Sequence, residues 1–235
     1  KSIPAVELFS NFVQERKDTG RLYLMNVDHA NTHGAFLEDI APIKQSNLCC
    51  EIDLPTKPLN NIDDPDGEIS LCTLSAVNWG AIRSLEQMEN VCDLAVRALD
   101  ELLDYQNYPI EAARRSTMNR RPLGVGIINF AYWMAKNGLT YQDIDGEGLE
   151  LIDEWAEAWS YYLIKASADI AVEQGAIPGN METKYGHGIT PNQTYKKDLD
   201  ELAKHKERMD WKGLRKQLKD TGIRNSTLMA LMPSE

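Results

Sequence analysis

Arg121-Pro122-Leu123-Gly124-Val125-Gly126-Ile127-Ile128-Asn129 is the clearest strand signal in the chain. The run is apolar and carries two glycines, which marks an extended strand, and it passes directly into an aromatic helix that reaches Lys136. Gly124-x-Gly126 lacks the third glycine of a dinucleotide fingerprint, so no such site is expected there. Upstream, Leu85, Met88, Val91, Leu94, Ala95, Ala98, Leu99 and Leu102 repeat at helical spacing, which predicts a helix over 85–103 with Cys92 as a core thiol. Downstream, 149–174 predicts a long helix stopped by Gly175, with Trp155, Trp159, Tyr162 and Leu163 as core stripe. Residues 192–220 are charged and predict one or two surface helices with a solvated basic face.

Toward the N-terminus, 4–17 predicts a helix, with Pro4 in its first turn and Gly20 after its end. Further strands are expected at 21–27, 46–54, 69–74 and 224–232. The Asn-, Asp- and Gly-rich stretch between Pro58 and Glu68 predicts a solvent loop or hairpin tip. Alternation of strands with helices argues for an α/β fold with a mainly parallel sheet or barrel. The last strand runs into Pro233-Ser234-Glu235, so the chain is expected to be a piece of something larger.

Composition narrows the function. Among 235 residues, 43% are apolar and 26% charged, which excludes disorder and fibrous repeats. No apolar run approaches the roughly 20 residues that span a bilayer. Lys1-Ser2-Ile3-Pro4 lacks a signal-peptide core. With 25 Lys and Arg against 36 Asp and Glu, the formal charge is −11, the wrong sign for a typical nucleic-acid binder. Neither a membrane nor a nucleic-acid partner is expected; a small anionic ligand stays open. Cys49, Cys50, Cys72 and Cys92 are too few for a disulfide scaffold, and a cytoplasmic location is expected. His29 and His33 share the spacing of a metal pair, but their segment is polar and turn-like, so no metal site is expected.

Gln45-Ser46-Asn47-Leu48-Cys49-Cys50-Glu51-Ile52 carries the chemistry. If extended, it sets Asn47, Cys49 and Glu51 on one face and Leu48, Cys50 and Ile52 on an apolar reverse face. An amide can hold a hydroxyl, a carboxylate can take its proton, and a thiol can do redox or radical work. A half-buried strand with a polar outer face explains the same pattern. The hairpin-like loop can return Cys72 toward Cys49; alone, Cys72 reads as a core residue.

Ser46-Asn47-Leu48-Cys49-x-Glu51, Leu54-Pro55-Thr56 and Leu71-Cys72-Thr73-Leu74-Ser75 together resemble the large catalytic subunit of class I ribonucleotide reductase, of bacterial or phage type. Gln14-Glu15-Arg16, Asn26-Val27-Asp28-His29, Arg121-x-Leu123-Gly124-x-Gly126 and the run from Arg224 to Glu235 extend the resemblance over essentially the whole chain. The resemblance implies a ten-stranded α/β barrel with Cys49 on a central finger loop, and all 235 residues as one incomplete section of that barrel domain. It implies that Cys49 carries a thiyl radical that abstracts the 3′ hydrogen of a ribonucleoside diphosphate. Glu51 would take the 3′-hydroxyl proton, and Asn47 would hold the ribose hydroxyls. Cys72 would be one of two reducing thiols, renewed by a thioredoxin- or glutaredoxin-type dithiol. Ser46 and Leu74 would contact substrate, and Pro233, Ser234 and Glu235 would begin its diphosphate loop.

No cofactor is expected on this chain, because a metal-containing small subunit would supply the radical. Cys72's redox partner and the radical-relay tyrosines have no counterpart here, so turnover is expected to need other fragments of the same subunit, whether the chain is an excerpt or a split-gene product. Cys50 departs from the family's usual apolar residue and is expected to be a buried reverse-face thiol. A non-catalytic scaffold, a glycyl-radical relative and a zinc module are the competing readings. The Asn-Leu-Cys-x-Glu and Leu-Cys-Thr-Leu patterns favour the reductase.

Overall fold

The computed structural model describes residues 2–142, 146–202 and 205–233. Two strands form among them, β1 (Leu74–Asn78) and β2 (Gly124–Ile128), paired in parallel with Leu74 opposite Gly124 and Asn78 opposite Ile128. The chain returns alongside β2 near its end. Leu123 N donates to Thr227 O at 3.0 Å, Val125 N to Leu228 O at 2.7 Å, and Ala230 N to Val125 O at 3.2 Å, a parallel bridge centred on Met229. The expected strand at 224–232 is thus a short third line of the sheet. The strand expected at 69–74 begins pairing only at its last residue. Ile69 N instead donates to Ala112 O at 3.2 Å, and Ser70 Oγ to Pro55 O at 2.7 Å.

The glycines of β2 are required by this threading. A Cβ on Gly124 would meet Leu74 Cδ2 at 2.5 Å and Ala230 Cβ at 2.8 Å; one on Gly126 would meet Met232 Sδ at 2.4 Å and Ala230 O at 2.7 Å. Gly-x-Gly here serves close approach of neighbouring chain.

Eight α-helices accompany the sheet among the described residues. The first, α1 (Ala5–Thr19), ends at Gly20 in the left-handed region, as expected, but buries none of its residues; Val6, Phe9 and Val13 stay exposed. The expected strand 21–27 does not form. Arg21 to Asn26 is irregular, and the polar segment after it is a helix, α2 (Val27–His33). Its C-terminal carbonyls are collected by one cation: Lys184 Nζ donates to Thr32 O and Gly34 O at 2.7 Å and to Asn31 O at 3.3 Å.

The core lies between α3 (Leu85–Tyr105) and α6 (Gly146–Gln174) and against the sheet. Ser84 caps α3: its Oγ accepts from Gln87 N at 3.2 Å, while Gln87 Oε1 accepts from Arg83 N, one residue before the cap, at 2.8 Å. Its buried stripe is Met88, Cys92, Val96, Leu99 and Leu103, so the apolar face is rotated from the expected one and Leu94 and Leu102 are exposed. Cys92 is buried as expected, and burial pushes its thiol up to about 12. Between these helices in sequence come α4 (Glu111–Arg120) and α5 (Phe130–Lys136). On α5, Trp133 packs at 5.2 Å from Trp79 and 5.0 Å from Trp155 of α6, making an aromatic core. The C-terminal third adds the one-turn α7 (Pro191–Thr194) and the amphipathic α8 (Trp211–Thr221), which buries Trp211, Leu214 and Leu218.

A charged residue interrupts α3's buried stripe. Asp100 is 1% exposed. Its Oδ1 accepts from Arg121 Nε at 2.7 Å and Asn225 Nδ2 at 2.9 Å, and its Oδ2 from Arg224 Nε at 3.1 Å. Arg121 also forks onto Asp104 at 2.8 and 2.7 Å. Removing one partner of such a group strands the others' charge. Asp100→Ala is therefore expected to lower unfolding free energy by about 3–5 kcal/mol, as a shift in the chemical denaturation midpoint.

Candidate active site

The segment from Ser46 to Asp53 is a tight turn rather than an extended strand. Ser46 and Asp53 form an antiparallel bridge at its base. Asn47 ties the tip: its Oδ1 accepts from Glu51 N at 3.2 Å and Ile52 N at 3.1 Å, its carbonyl accepts from Cys50 N at 3.1 Å, and its Nδ2 donates to Glu51 Oε1 at 2.7 Å. Asn47 and Glu51 therefore meet because the backbone folds over, not by strand alternation. Ser46 Oγ closes the base onto Ile52 O at 2.9 Å. Below the turn, Ile52 and Leu54 anchor it in a small apolar cluster with Phe36, Ala41, Ile43 and Ala230.

This geometry corrects the expected reverse face. Leu48 is 80% exposed, and Cys50, expected buried, is exposed with φ +62°. A turn tip leaves Leu48 and Cys50 to solvent, while Ile52 alone of the expected reverse face packs into the apolar cluster. Cys49 is also exposed, and both thiols border an open cavity of about 380 Å³ walled by Glu51, Trp159 and the segment Met229–Leu231.

Cys72 is exposed and borders a neighbouring cavity of about 510 Å³ with Ser46, Asn47 and Ile52. The expected return is made by a hairpin whose base pairs Lys57 with Glu68, at 3.1 and 3.0 Å. Burial pushes the Cys72 thiol up, and the proximity of Glu51 and Cys49 pushes it further, so the three groups share one electrostatic environment. The hairpin base is itself locked. Burial acts against Glu68 ionisation, but Lys57 at 2.6 Å and Arg120 outweigh it and hold this carboxyl below its usual range.

Leu74 opens β1 with its side chain against Gly124. Pro233 is exposed at the end of the third sheet line. Ser234 and Glu235 lie outside the described residues. His29 and His33 face each other on α2 at 5.6 Å, and His33 Nδ1 lies 2.6 Å from Thr194 O. Among the described residues, no cluster of three or more His, Cys, Asp or Glu is arranged to hold a metal.

Two further carboxyl oxygens face inward. Glu51 Oε2 and Asp53 Oδ1 are buried without a hydrogen-bond partner among the described residues, and both residues border a third cavity of about 250 Å³ with Lys184, Thr190 and Thr227–Met229. Sequence reasoning missed Asp53 and Lys184. Asp53 is visible as a carboxylate beside the motif; Lys184 reaches the site only through tertiary packing.

Compared with known proteins, residues 1–235 match the family described as "Ribonucleotide reductase, barrel domain". The chain belongs to that family. It is 55% identical over 235 residues to the ribonucleoside-diphosphate reductase subunit alpha of Haemophilus influenzae, covering 100% of this chain and 31% of the relative. It is 58% identical over 233 residues to the ribonucleoside-diphosphate reductase 1 subunit alpha of Escherichia coli K12, covering 99% and 30%. It is 43% identical over 240 residues to the subunit alpha of Enterobacteria phage T4, covering 100% and 30%. The chain thus spans about 30% of the length of these ribonucleotide reductase subunits. Among the described residues, no helix is long and apolar enough to cross a membrane.

Asp53 gives a test of this local geometry. Burial holds its carboxyl above the ordinary 3.8, with the Ser46 bond acting partly against it. The native state then binds more protons than the unfolded one, so this group's contribution falls as pH rises from 3.8 through the raised value. Asp53→Asn removes that titration. The difference in stability between variant and wild type, followed by denaturation across acidic pH, is expected to shift toward the variant as pH rises through this window.

Proposed function

We propose that this chain is a central section of the catalytic barrel domain of a ribonucleoside-diphosphate reductase, with Cys49 at its radical site on the finger loop of a ten-stranded barrel. The observation that carries the proposal is the Asn47 clamp. One amide fixes the backbone of the turn and bonds Glu51 at 2.7 Å, with Cys49 exposed on the same turn and Cys72 in the same electrostatic environment.

The chemistry follows from these positions. A thiyl at Cys49 takes the 3′ hydrogen of a ribonucleoside diphosphate, forming S–H and leaving a carbon radical; S–H and activated C–H bonds are similar in strength, so the step reverses easily. Glu51 accepts the 3′-hydroxyl proton, and its partnerless Oε2 is the free acceptor. Asn47 orients the ribose hydroxyls, with Ser46 and Leu74 lining the approach. The 2′-hydroxyl leaves as water. Cys72 supplies one of two reducing equivalents, ends in a disulfide, and is reset by an external thioredoxin- or glutaredoxin-type dithiol. Pro233, Ser234 and Glu235 begin the cradle for the substrate diphosphate. The radical comes from a separate small subunit. The partner cysteine of Cys72 and the remaining site walls come from the rest of the large subunit, in keeping with relatives about three times as long as the chain. The site is read as cytoplasmic, where thiols stay reduced.

Replacing the corresponding section of a relative's alpha subunit with this chain, and adding the small subunit, is expected to give reduction of CDP to dCDP. Cys49→Ser is expected to abolish it, and Glu51→Gln to lower kcat by about a hundredfold or more. A correctly assembled chimera that is inactive with Cys49 intact supports the scaffold reading instead.

A further inference from the structure

The thiol beside Cys49 has no part in the proposed reaction, yet its placement is specific. Cys50 sits at φ +62°, a conformation that non-glycine residues adopt uncommonly. In an extended strand, neighbouring side chains point to opposite faces, which would part the two sulfurs. The left-handed residue breaks that alternation. Cys49 and Cys50 consequently border the same open cavity, with Trp159 and Met229–Leu231 opposite. Both are free and exposed, while Cys72 borders a different cavity and Cys92 is buried. Hydrogen bonds between Asn47 and Cys50, Glu51 and Ile52 hold the turn, so its tip is presented in one shape.

We propose that Cys49 and Cys50 form a dithiol site for trivalent arsenicals, thiophilic centres that accept two sulfurs. With a monosubstituted arsenic(III) oxide, two S–H bonds break and two As–S bonds form. The oxide oxygen leaves as water with both protons. Arsenic stays trivalent, and no oxidant is needed. The bridged Cys49 has no S–H bond left to make or break, so an occupied site is closed to radical chemistry. Binding itself depends only on the turn and its two thiols, and stands apart from the catalytic reading.

The test uses the full chain and phenylarsine oxide, followed by native mass spectrometry. One adduct is expected, with the mass of the reagent less one water, stable to excess monothiol and reversed by dithiothreitol. Two sulfurs on one loop act at high effective concentration, so Cys49→Ser and Cys50→Ser are each expected to raise the half-saturating concentration by about a hundredfold, and Cys72→Ser by less than about twofold. Alkylation mapping of the unsubstituted chain gives a readout independent of any variant's folding. The reagent is expected to protect Cys49 and Cys50 and leave Cys72 open. Loss of binding in Cys72→Ser with retention in Cys50→Ser would overturn the proposal by assigning the pair to Cys49 and Cys72. Absence of a monothiol-resistant adduct would overturn it by showing the two sulfurs held apart.

Discussion

A single buried carboxylate, Asp100, holds the architecture in register. It stands in the apolar stripe of α3, where an unpaired charge would be expelled, and it is accommodated because three donors from two distant segments converge on it. Arg121 precedes β2, and Arg224 with Asn225 opens the returning segment. Asn225 is held again by Ser167 of α6, whose Oγ donates to Asn225 Oδ1 at 2.8 Å and accepts from Asn225 N at 2.9 Å. The main helix pair and two lines of the sheet are thereby pinned at one end by directional bonds, where apolar packing alone leaves axial sliding cheap.

The site inherits its geometry from that pinning. With the returning segment fixed at Arg224 and Asn225, Met229 falls opposite Val125, and Ala230 reaches the cluster that seats Ile52 and Leu54. That contact sets the height of the turn carrying Asn47, Cys49 and Glu51. The two glycines of β2 keep the lines close enough for this to happen. On the other side, Lys57, Glu68, Arg120 and Glu182 lock the hairpin that returns Cys72. Two ion networks therefore bracket a site whose own side chains are left polar, partly open and incompletely paired. Partner-seeking atoms such as Glu51 Oε2 are what a substrate hydroxyl requires.

Features governed by local periodicity were legible in the chain. The helices at 85–103 and 149–174, the strand at 124–128, the hairpin after Pro58 and the core position of Cys92 all follow from spacing or turn residues. Features governed by distant partners were not. Arg21–Asn26 has strand-like composition but no edge to pair with among the described residues, whereas Asn26–Gly34 looks like a turn yet is helical because Lys184 gathers its last carbonyls. Strand parity put Asn47, Cys49 and Glu51 on one face, whereas an amide-stapled turn is what joins Asn47 to Glu51. The same error hid Cys50, which a turn exposes and a strand would bury. The family membership rested on motif order across the chain, which survives even where local structure was misjudged.

The central claim is that Cys49, set between Asn47 and Glu51, takes hydrogen from the sugar. The most direct measurement is a competitive isotope effect on kcat/KM with 3′-deuterated against unlabelled CDP, in an alpha subunit carrying this chain together with its small subunit. A normal primary effect that disappears with all turnover in Cys49→Ser is the predicted result. Turnover that persists without Cys49, or proceeds with no discrimination at the 3′ position, would contradict the account.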